Sequence, residues 1–344
     1  ALGTLGAPTV GLSTEELEQW KRGRLIFDRD FEPKEGLGQR FNAESCRACH
    51  QDPVIGGAGG NDVNVLRYGF RDLETGAYQS LNNASLIRSS QPGALPAEIE
   101  AEANVIEARN PPSILGLGLL GEISNEEILS NEDPDDLDGD GISGRVRWVS
   151  NGTQIGRYSW KAEFPSLADF TADALIKEVG LTIHPSLSVF TSEDDNDGIL
   201  DPELADDPYL DLVFYIENLM PPRQEPLSEA TAEGEILFAE IGCASCHLPT
   251  LGGVPAYTDL LLHDIAETEM VLVEQDDSVL ATEYKTPPLW GVILSAPYLH
   301  DGSASSLEDA ILHGHFREAS DSREAFEALT TEDQAQLLAF LAEI

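Results

Sequence analysis

The chain has few basic residues and no long apolar run. The first feature disfavours anionic partners, and the second disfavours a membrane-spanning segment. Lysine and arginine number 20 against 62 aspartates and glutamates, giving a formal net charge of −42. Such a surface repels phosphate groups, so nucleic acid and anionic membrane surfaces are poor partners. The longest apolar run, residues 114–120, is far shorter than a membrane span. We therefore predict a protein that is not transmembrane. Its acidic surface either steers a basic electron-donor protein toward a haem or is an adaptation that keeps the protein solvated, for example at high salt.

Cysteine is also scarce, because the chain has only four and all belong to two copies of a Cys-x-x-Cys-His motif. The copies are Cys46, Cys49 and His50, and Cys243, Cys246 and His247. This spacing is the attachment signature of c-type haem, in which the thiols bond to the porphyrin vinyl groups and the histidine binds iron. Neither a four-ligand zinc site nor a thioredoxin-like pair requires a histidine directly after each cysteine pair. We predict two covalently bound c-type haems with two proximal histidine ligands.

The length of 344 residues suits two domains, and a weak internal repeat supports two related halves. Gly23–Phe27 precedes the first haem motif and Gly234–Phe238 precedes the second, each with the pattern of an apolar helix face. We predict a mainly α protein of two cytochrome c-like haem domains joined by a loop-rich Asp/Gly insertion. The predicted parts are residues 1–122 with 211–225, the insertion 123–210, and residues 226–344.

The insertion contains the opening of a calcium loop. Asp136, Asp138 and Asp140 alternate along the chain, and a following glycine permits the sharp turn that lets such carboxylates converge on Ca²⁺. An EF-hand would place glutamate at the twelfth position, but Arg147 stands there. The pattern therefore fits a looser calcium loop or, as the alternative, a solvated Asp/Gly turn.

The sixth iron ligands decide the chemistry, since a doubly ligated haem transfers electrons and an open one binds small oxidants. His313 follows an apolar position of a predicted helix, so it can face inward and bind the iron of the second haem. His315 is the alternative ligand, because the end of this helix is not fixed by the sequence. A surface histidine is the remaining interpretation of either. His263 has the pattern of a hydrogen-bonded core histidine, and His184 that of a surface loop residue.

Four further segments make the chain similar to a known family. They are Arg109–Leu115, Trp160–Phe164, Thr286–Trp290 and Ala296–Gly302. Together with the haem motifs they resemble the bacterial di-haem oxidoreductases, which are related to the di-haem cytochrome c peroxidases. In those peroxidases a methionine ligand follows the last segment by about one helix. This chain has Gly314 there, between His313 and His315, so the resemblance implies a bis-histidine second haem of lower potential than a His/Met haem.

The resemblance also implies roles around the first haem. The peroxidases carry a distal histidine after the first motif, but no histidine lies between His50 and His184 here. Tyr68 is nearest that place, where it either binds or covers the iron or only packs. Glu122 matches the family's proton-transferring glutamate, with a surface carboxylate as the alternative. Arg109 either polarises the distal pocket or binds a haem propionate.

These features predict a di-haem enzyme that reduces peroxide at the first haem. The second haem relays electrons from a small c-type cytochrome or copper protein. The alternatives are a pure electron-transfer cytochrome and an oxidase or oxygenase of an organic or protein substrate. Because covalent haem is attached outside the bacterial inner membrane, we expect a periplasmic or secreted protein whose signal peptide has been removed.

Overall fold

The computed structural model describes residues 4–75, 78–86, 89–91, 98–191, 197–222, 229–267 and 278–344. Within these ranges the chain forms two compact units, each with one haem motif. The first contains the described residues up to Gly118 and Ser166–Met220, and the second contains Leu119–Pro165 and the described residues from Pro221 onward. The predicted insertion 123–210 is thus divided between both units.

Helices hold more of the described residues than strands, as a mainly α chain requires. The α-helices are α1 (Thr14–Asp28), α2 (Gly118–Glu122), α3 (Asn125–Leu129), α4 (Leu167–Ala174), α5 (Asp206–Glu217), α6 (Glu229–Glu240), α7 (Leu307–Gly314), α8 (Ser320–Ala328) and α9 (Thr331–Glu343). None of the described helices has the length and apolar character needed to cross a bilayer. Helix α1 begins at the capping box that its sequence predicts, because Ser13 and Glu16 each bond the other's backbone N–H.

The strands are short and form small antiparallel sheets. They are β1 (Arg40–Phe41), β2 (Val65–Arg71), β3 (Tyr78–Leu86), β4 (Ser89–Ser90), β5 (Val105–Arg109), β6 (Trp148–Val149), β7 (Gln154–Ile155), β8 (Leu262–Asp264) and β9 (Glu283–Lys285). The first unit contains the three-stranded sheet β3-β2-β5, in which Tyr68 pairs with Ile106. The second unit contains the β8-β9 pair, in which His263 lies opposite Tyr284.

Both units are built around the same kind of helix pair, α1 with α5 and α6 with α9. A Cβ on Gly23 would lie 1.9 Å from the carbonyl oxygen of Asp211, and one on Gly234 would lie 2.2 Å from that of Gln336. Glycine therefore lets the two backbones of each pair approach closely. The repeat that the sequence indicates is present as two equivalent glycine-mediated helix crossings.

An aromatic residue stands four positions after each of these glycines and packs on the partner helix. The ring centres of Phe27 and Tyr215 are 5.2 Å apart in the first unit, and those of Phe238 and Phe340 are 5.4 Å apart in the second. Phe27 and Phe340 are fully buried. Each helix pair thus supplies an aromatic core directly beside its haem motif.

We expect Gly23→Ala to lower the free energy of unfolding by about 1–3 kcal/mol, because the added methyl group overpacks the crossing with α5. In an ordinary helix interior the same change would stabilise. Thermal unfolding followed by circular dichroism measures the difference, and Leu25→Ala, at a position of α1 that is 67% exposed, is the control. A Gly23→Ala protein as stable as the control would show that the close crossing is not formed.

Candidate haem-binding sites

The first haem motif forms a tight turn that carries both cysteines. Residues Cys46–Ala48 form a 3₁₀ turn, and the amide N–H groups of Cys49 and His50 both donate to the carbonyl of Cys46. The second motif repeats this arrangement at Cys243–Ser245. All four cysteines are free thiols in the structure and are partly buried. The thiols that attachment requires are therefore not consumed in disulfides.

The orientation of His50 is fixed by a backbone carbonyl. Its Nδ1 lies 3.0 Å from the carbonyl oxygen of Pro112. Since a carbonyl can only accept, Nδ1 carries the proton and Nε2 has the lone pair that a metal needs. Burial lowers the pKa of His50, which favours the neutral imidazole. The arrangement fits a proximal iron ligand.

The glycine-rich segment after the first motif brings Pro112 to this position. The amide N–H of Gly59 donates to the carbonyl of Pro111 at 2.9 Å. A Cβ on Gly59 would lie only 2.5 Å from the carbonyl oxygen of Cys49. The Arg-Asn-Pro-Pro segment is thereby held against the haem turn, which gives this sequence signature a structural role.

His247 has the same environment in the second unit. Its Nδ1 lies 3.0 Å from the carbonyl oxygen of Tyr257, so that Nε2 is again the ligand atom. Burial, together with the nearby His315, lowers the pKa of His247 to about 4. The ring centre of Phe238 is 6.5 Å from that of His247, and Phe27 is 6.4 Å from His50. Both proximal histidines thus share one arrangement, in which Nδ1 bonds to a backbone carbonyl and a phenylalanine ring lies nearby.

The structure favours His315 over His313 as the partner of His247. The ring centres of His247 and His315 are 6.4 Å apart, with 47° between the ring planes. Two imidazoles binding one metal ion from opposite sides have ring centres about 6 Å apart, given metal–nitrogen bonds of about 2.0 Å. His315 also places its Nδ1 3.1 Å from the carbonyl oxygen of Ala310, and burial lowers its pKa. The pair fits a bis-histidine haem.

His313 does not have this environment. It lies near the end of α7 with an exposed side chain. His315 follows the last residue of the helix, where the backbone leaves helical geometry and lets the ring point elsewhere. The His313 side chain is thus exposed rather than directed inward, and the geometry favours the alternative, His315. Ligation of the second haem by either histidine stays a prediction.

Three residues with predicted catalytic roles lie in two different units. Tyr68 is buried in β2, and burial raises its pKa. Arg109 ends β5, where it pairs with Glu107 at 3.3 Å. Strands β2 and β5 are paired, so Tyr68 and Arg109 belong to one sheet. Glu122 is the exposed last residue of α2 and falls in the second unit, outside the first domain to which its sequence position assigned it.

The predicted calcium loop brings together a different set of carboxylates. Asp136 and Asp138 lie with Asp133, their closest oxygens all within 4.8 Å of one another. Asp140 instead accepts the N–H of Ile142 within its own turn. Arg147 is buried and donates to the carbonyl of Lys161, so it takes no part in the loop. Calcium binding stays a prediction, and Asp133 is a candidate ligand that sequence spacing missed.

The chain belongs to a family of di-haem enzymes. The family described as "Di-haem oxidoreductase, putative peroxidase" matches residues 74–344. This match confirms the predicted family and identifies the protein as a di-haem oxidoreductase. The second haem motif lies inside the matched stretch and the first lies before it, so the first haem is supported by its own motif and geometry.

Solved structures of low sequence identity resemble the chain over nearly its whole length. A MauG-like protein associated with microbial copper homeostasis is 16% identical, with coverage of 100% of this chain and 93% of that chain and a TM-score of 0.47. The diheme peroxidase BthA from Burkholderia thailandensis is 14% identical, covers 99% and 87%, and has a TM-score of 0.48. Hydrazine synthase from Kuenenia stuttgartiensis is 13% identical, covers 100% and 95%, and has a TM-score of 0.46. No curated protein sequence matches the chain.

Proposed function

We propose that the protein reduces peroxide at a c-type haem held by Cys46, Cys49 and His50. A second c-type haem, bound between His247 and His315, relays the electrons. The observation that carries this proposal is the difference between the two proximal histidines. His247 faces another imidazole at the spacing of a shared metal ion, whereas His50 has no histidine after it in the sequence before His184.

The chain's own residues divide the work between the two haems. When bound, each haem supplies a redox-active iron. The carbonyls of Pro112 and Tyr257 hold the proximal imidazoles in the ligand tautomer. His247 and His315 would together hold the second haem through its iron, and an iron with two strong protein ligands is suited to electron transfer. At the first haem, the iron would keep a position for peroxide, and Tyr68 is the candidate by its place in the sequence to cover the iron or to pack there.

Heterolysis of the O–O bond needs a group that takes a proton from the bound oxygen and returns it to the leaving oxygen. Glu122 is the candidate for this role by its place after the Arg-Asn-Pro-Pro segment, and Arg109 is the candidate for polarising the pocket or binding a propionate. Both assignments rest on the family resemblance. An exposed carboxylate can exchange protons with water, which suits a proton carrier.

The electron donor and the location follow from charge and from covalent attachment. A net charge of −42 would steer a small basic redox protein toward the surface over distances of about one Debye length, roughly 8 Å at physiological salt. Covalent haem attachment is an extracytoplasmic process in bacteria, so the proposed location is the periplasm or the exterior.

Glu122→Gln tests the proton-transfer role. We expect peroxide turnover to fall about 10²–10⁴-fold while haem content stays intact, because the amide cannot exchange the proton. The measurement is steady-state peroxide reduction with a reduced c-type cytochrome as donor. Glu126→Gln, an exposed carboxylate on α3, is the control and should behave as the wild type. Unaltered turnover in Glu122→Gln would remove Glu122 from the mechanism.

A further inference from the structure

A buried charge cluster lies beside the second haem motif and is not used by the proposed reaction. Asp259 and His263 are 2% and 3% exposed, and His263 Nε2 lies 2.7 Å from Asp259 Oδ2. On the other side of the ring, His263 Nδ1 lies 3.4 Å from Glu318 Oε2. The hydroxyl of Ser143 donates to Glu318 as well. The imidazole is thus held between two carboxylates.

The two flanking carboxylates favour the protonated form of His263. Burial alone would lower its pKa, but the hydrogen bonds to Asp259, Cys246 and Glu318 raise it to about 12. Burial would likewise raise the pKa of Glu318, and its bonds to His263 and Ser143 lower it instead. The buried His263 and Asp259 and the partly buried Glu318 form one cluster, in which removal of one partner leaves a poorly solvated charge uncompensated.

The cluster joins the haem-attachment turn to the segment that carries His315. His263 Nδ1 lies 3.8 Å from Cys246 Sγ, the sulfur that would form a thioether. Glu318 belongs to the short turn Arg317–Ala319, directly after His315 and Phe316. The His263–Glu318 ion pair therefore bridges Cys246 and the neighbourhood of the distal ligand.

Two further hydrogen bonds and an ion pair complete this connection along β8 and the residues after it. The N–H of Phe316 donates to the carbonyl of Ile265 at 3.0 Å. Arg317 donates through Nε to the carbonyl of Ala266 at 2.8 Å and pairs with Asp264 at 3.3 Å. The segment after His315 is thus bound to the strand that carries His263.

We propose that His263 and Glu318 are positioning residues that hold His315 in place as the distal ligand of the second haem. Their ion pair fixes the segment after His315 against β8, and β8 in turn is fixed beside Cys246. The inference rests on the proposed bis-histidine second haem and assigns what keeps that ligand bound. Weakening the ion pair should therefore free the distal coordination position of the second haem while the haem itself stays bound.

Glu318→Gln in the haem-loaded protein is the test. We expect the low-spin signal of the second haem to convert partly to high spin, and the reduced haem to bind carbon monoxide, which the wild-type second haem should not bind. The midpoint potential of the second haem should rise, because the substitution removes the negative charge of Glu318 and weakens ligation by His315. Free imidazole should restore the low-spin signal by refilling the distal position.

Glu324→Gln is the matched control, since that carboxylate lies on α8, is 66% exposed and pairs only with a neighbouring side chain in the described contacts. If Glu318→Gln does not fold, Ser143→Ala removes only the hydroxyl donated to Glu318 and should give a smaller change in the same direction. A wild type without a low-spin second haem would overturn the proposed function. A wild-type low-spin signal that survives in Glu318→Gln and Ser143→Ala would overturn this inference alone.

Discussion

Replacing His315 with alanine should remove the low-spin signal of the second haem completely, whereas His313→Ala should leave it unchanged. The reason is geometric, because the His315 ring centre lies 6.4 Å from that of His247 while the His313 side chain is exposed. Loss of the distal nitrogen leaves a five-coordinate iron that binds water or small ligands. Electron paramagnetic resonance and optical spectra of the oxidised proteins measure the difference.

His313→Ala is itself the matched control, since it removes an imidazole only two positions away in the sequence. Haem content should remain that of the wild type in both variants, as neither residue takes part in attachment. Relay of electrons from the donor should slow in His315→Ala, because the iron would change coordination on reduction. The reverse result, with the signal lost in His313→Ala and kept in His315→Ala, would contradict the assignment.

The double substitution Cys46→Ala/Cys49→Ala should yield a protein with one haem and peroxide turnover at background level. The substitution removes both thiols that are proposed to attach the first haem, while the second motif lies in a separate unit with its own core. The low-spin spectrum of the second haem should persist. Intact mass measured by mass spectrometry and a haemochrome assay give the haem count, and steady-state kinetics give the turnover.

The counterpart Cys243→Ala/Cys246→Ala provides the comparison. It should keep the high-spin haem and lose the low-spin one, with donor-supported turnover lost because electrons no longer reach the first haem. Equal turnover in Cys46→Ala/Cys49→Ala and wild type would place the peroxide reaction elsewhere. A count of two haems in either variant would show that the motif concerned is not the attachment site.

The sequence predicts the parts of each site that are local in the chain. The haem motif contains its own thiols and proximal histidine, and the glycine and phenylalanine spacing before it predicts the helix of each half. These features need only a few neighbouring residues to be recognised. The family assignment also follows from short segments, and it is confirmed.

The parts that depend on long-range contacts were not predictable from the same patterns. The acceptors for His50 and His247 are backbone carbonyls of Pro112 and Tyr257, and any residue type can supply a carbonyl. The choice between His313 and His315 depends on where α7 ends, and helix boundaries are uncertain by one or two residues. Such a shift turns a side chain by a large angle around the helix axis.

The division of residues between the two units has the same origin. Helix α5 packs on α1 although the two helices lie far apart in the sequence. The residues that lead into α5 therefore belong to the first unit, even though their composition resembles that of the preceding loop. In the three-stranded sheet around Tyr68, β2 likewise pairs with β5, which lies beyond β3 and β4 in the chain. Charge pairs such as His263 with Glu318 have no signature in sequence spacing, since the partners are remote along the chain.

The most direct test of unlike iron centres is electron paramagnetic resonance of the fully oxidised wild-type protein, with and without peroxide or cyanide. We predict one low-spin bis-imidazole signal that neither ligand alters, and one high-spin signal that both ligands change. Two low-spin signals insensitive to both ligands would contradict it and would favour a pure electron-transfer cytochrome.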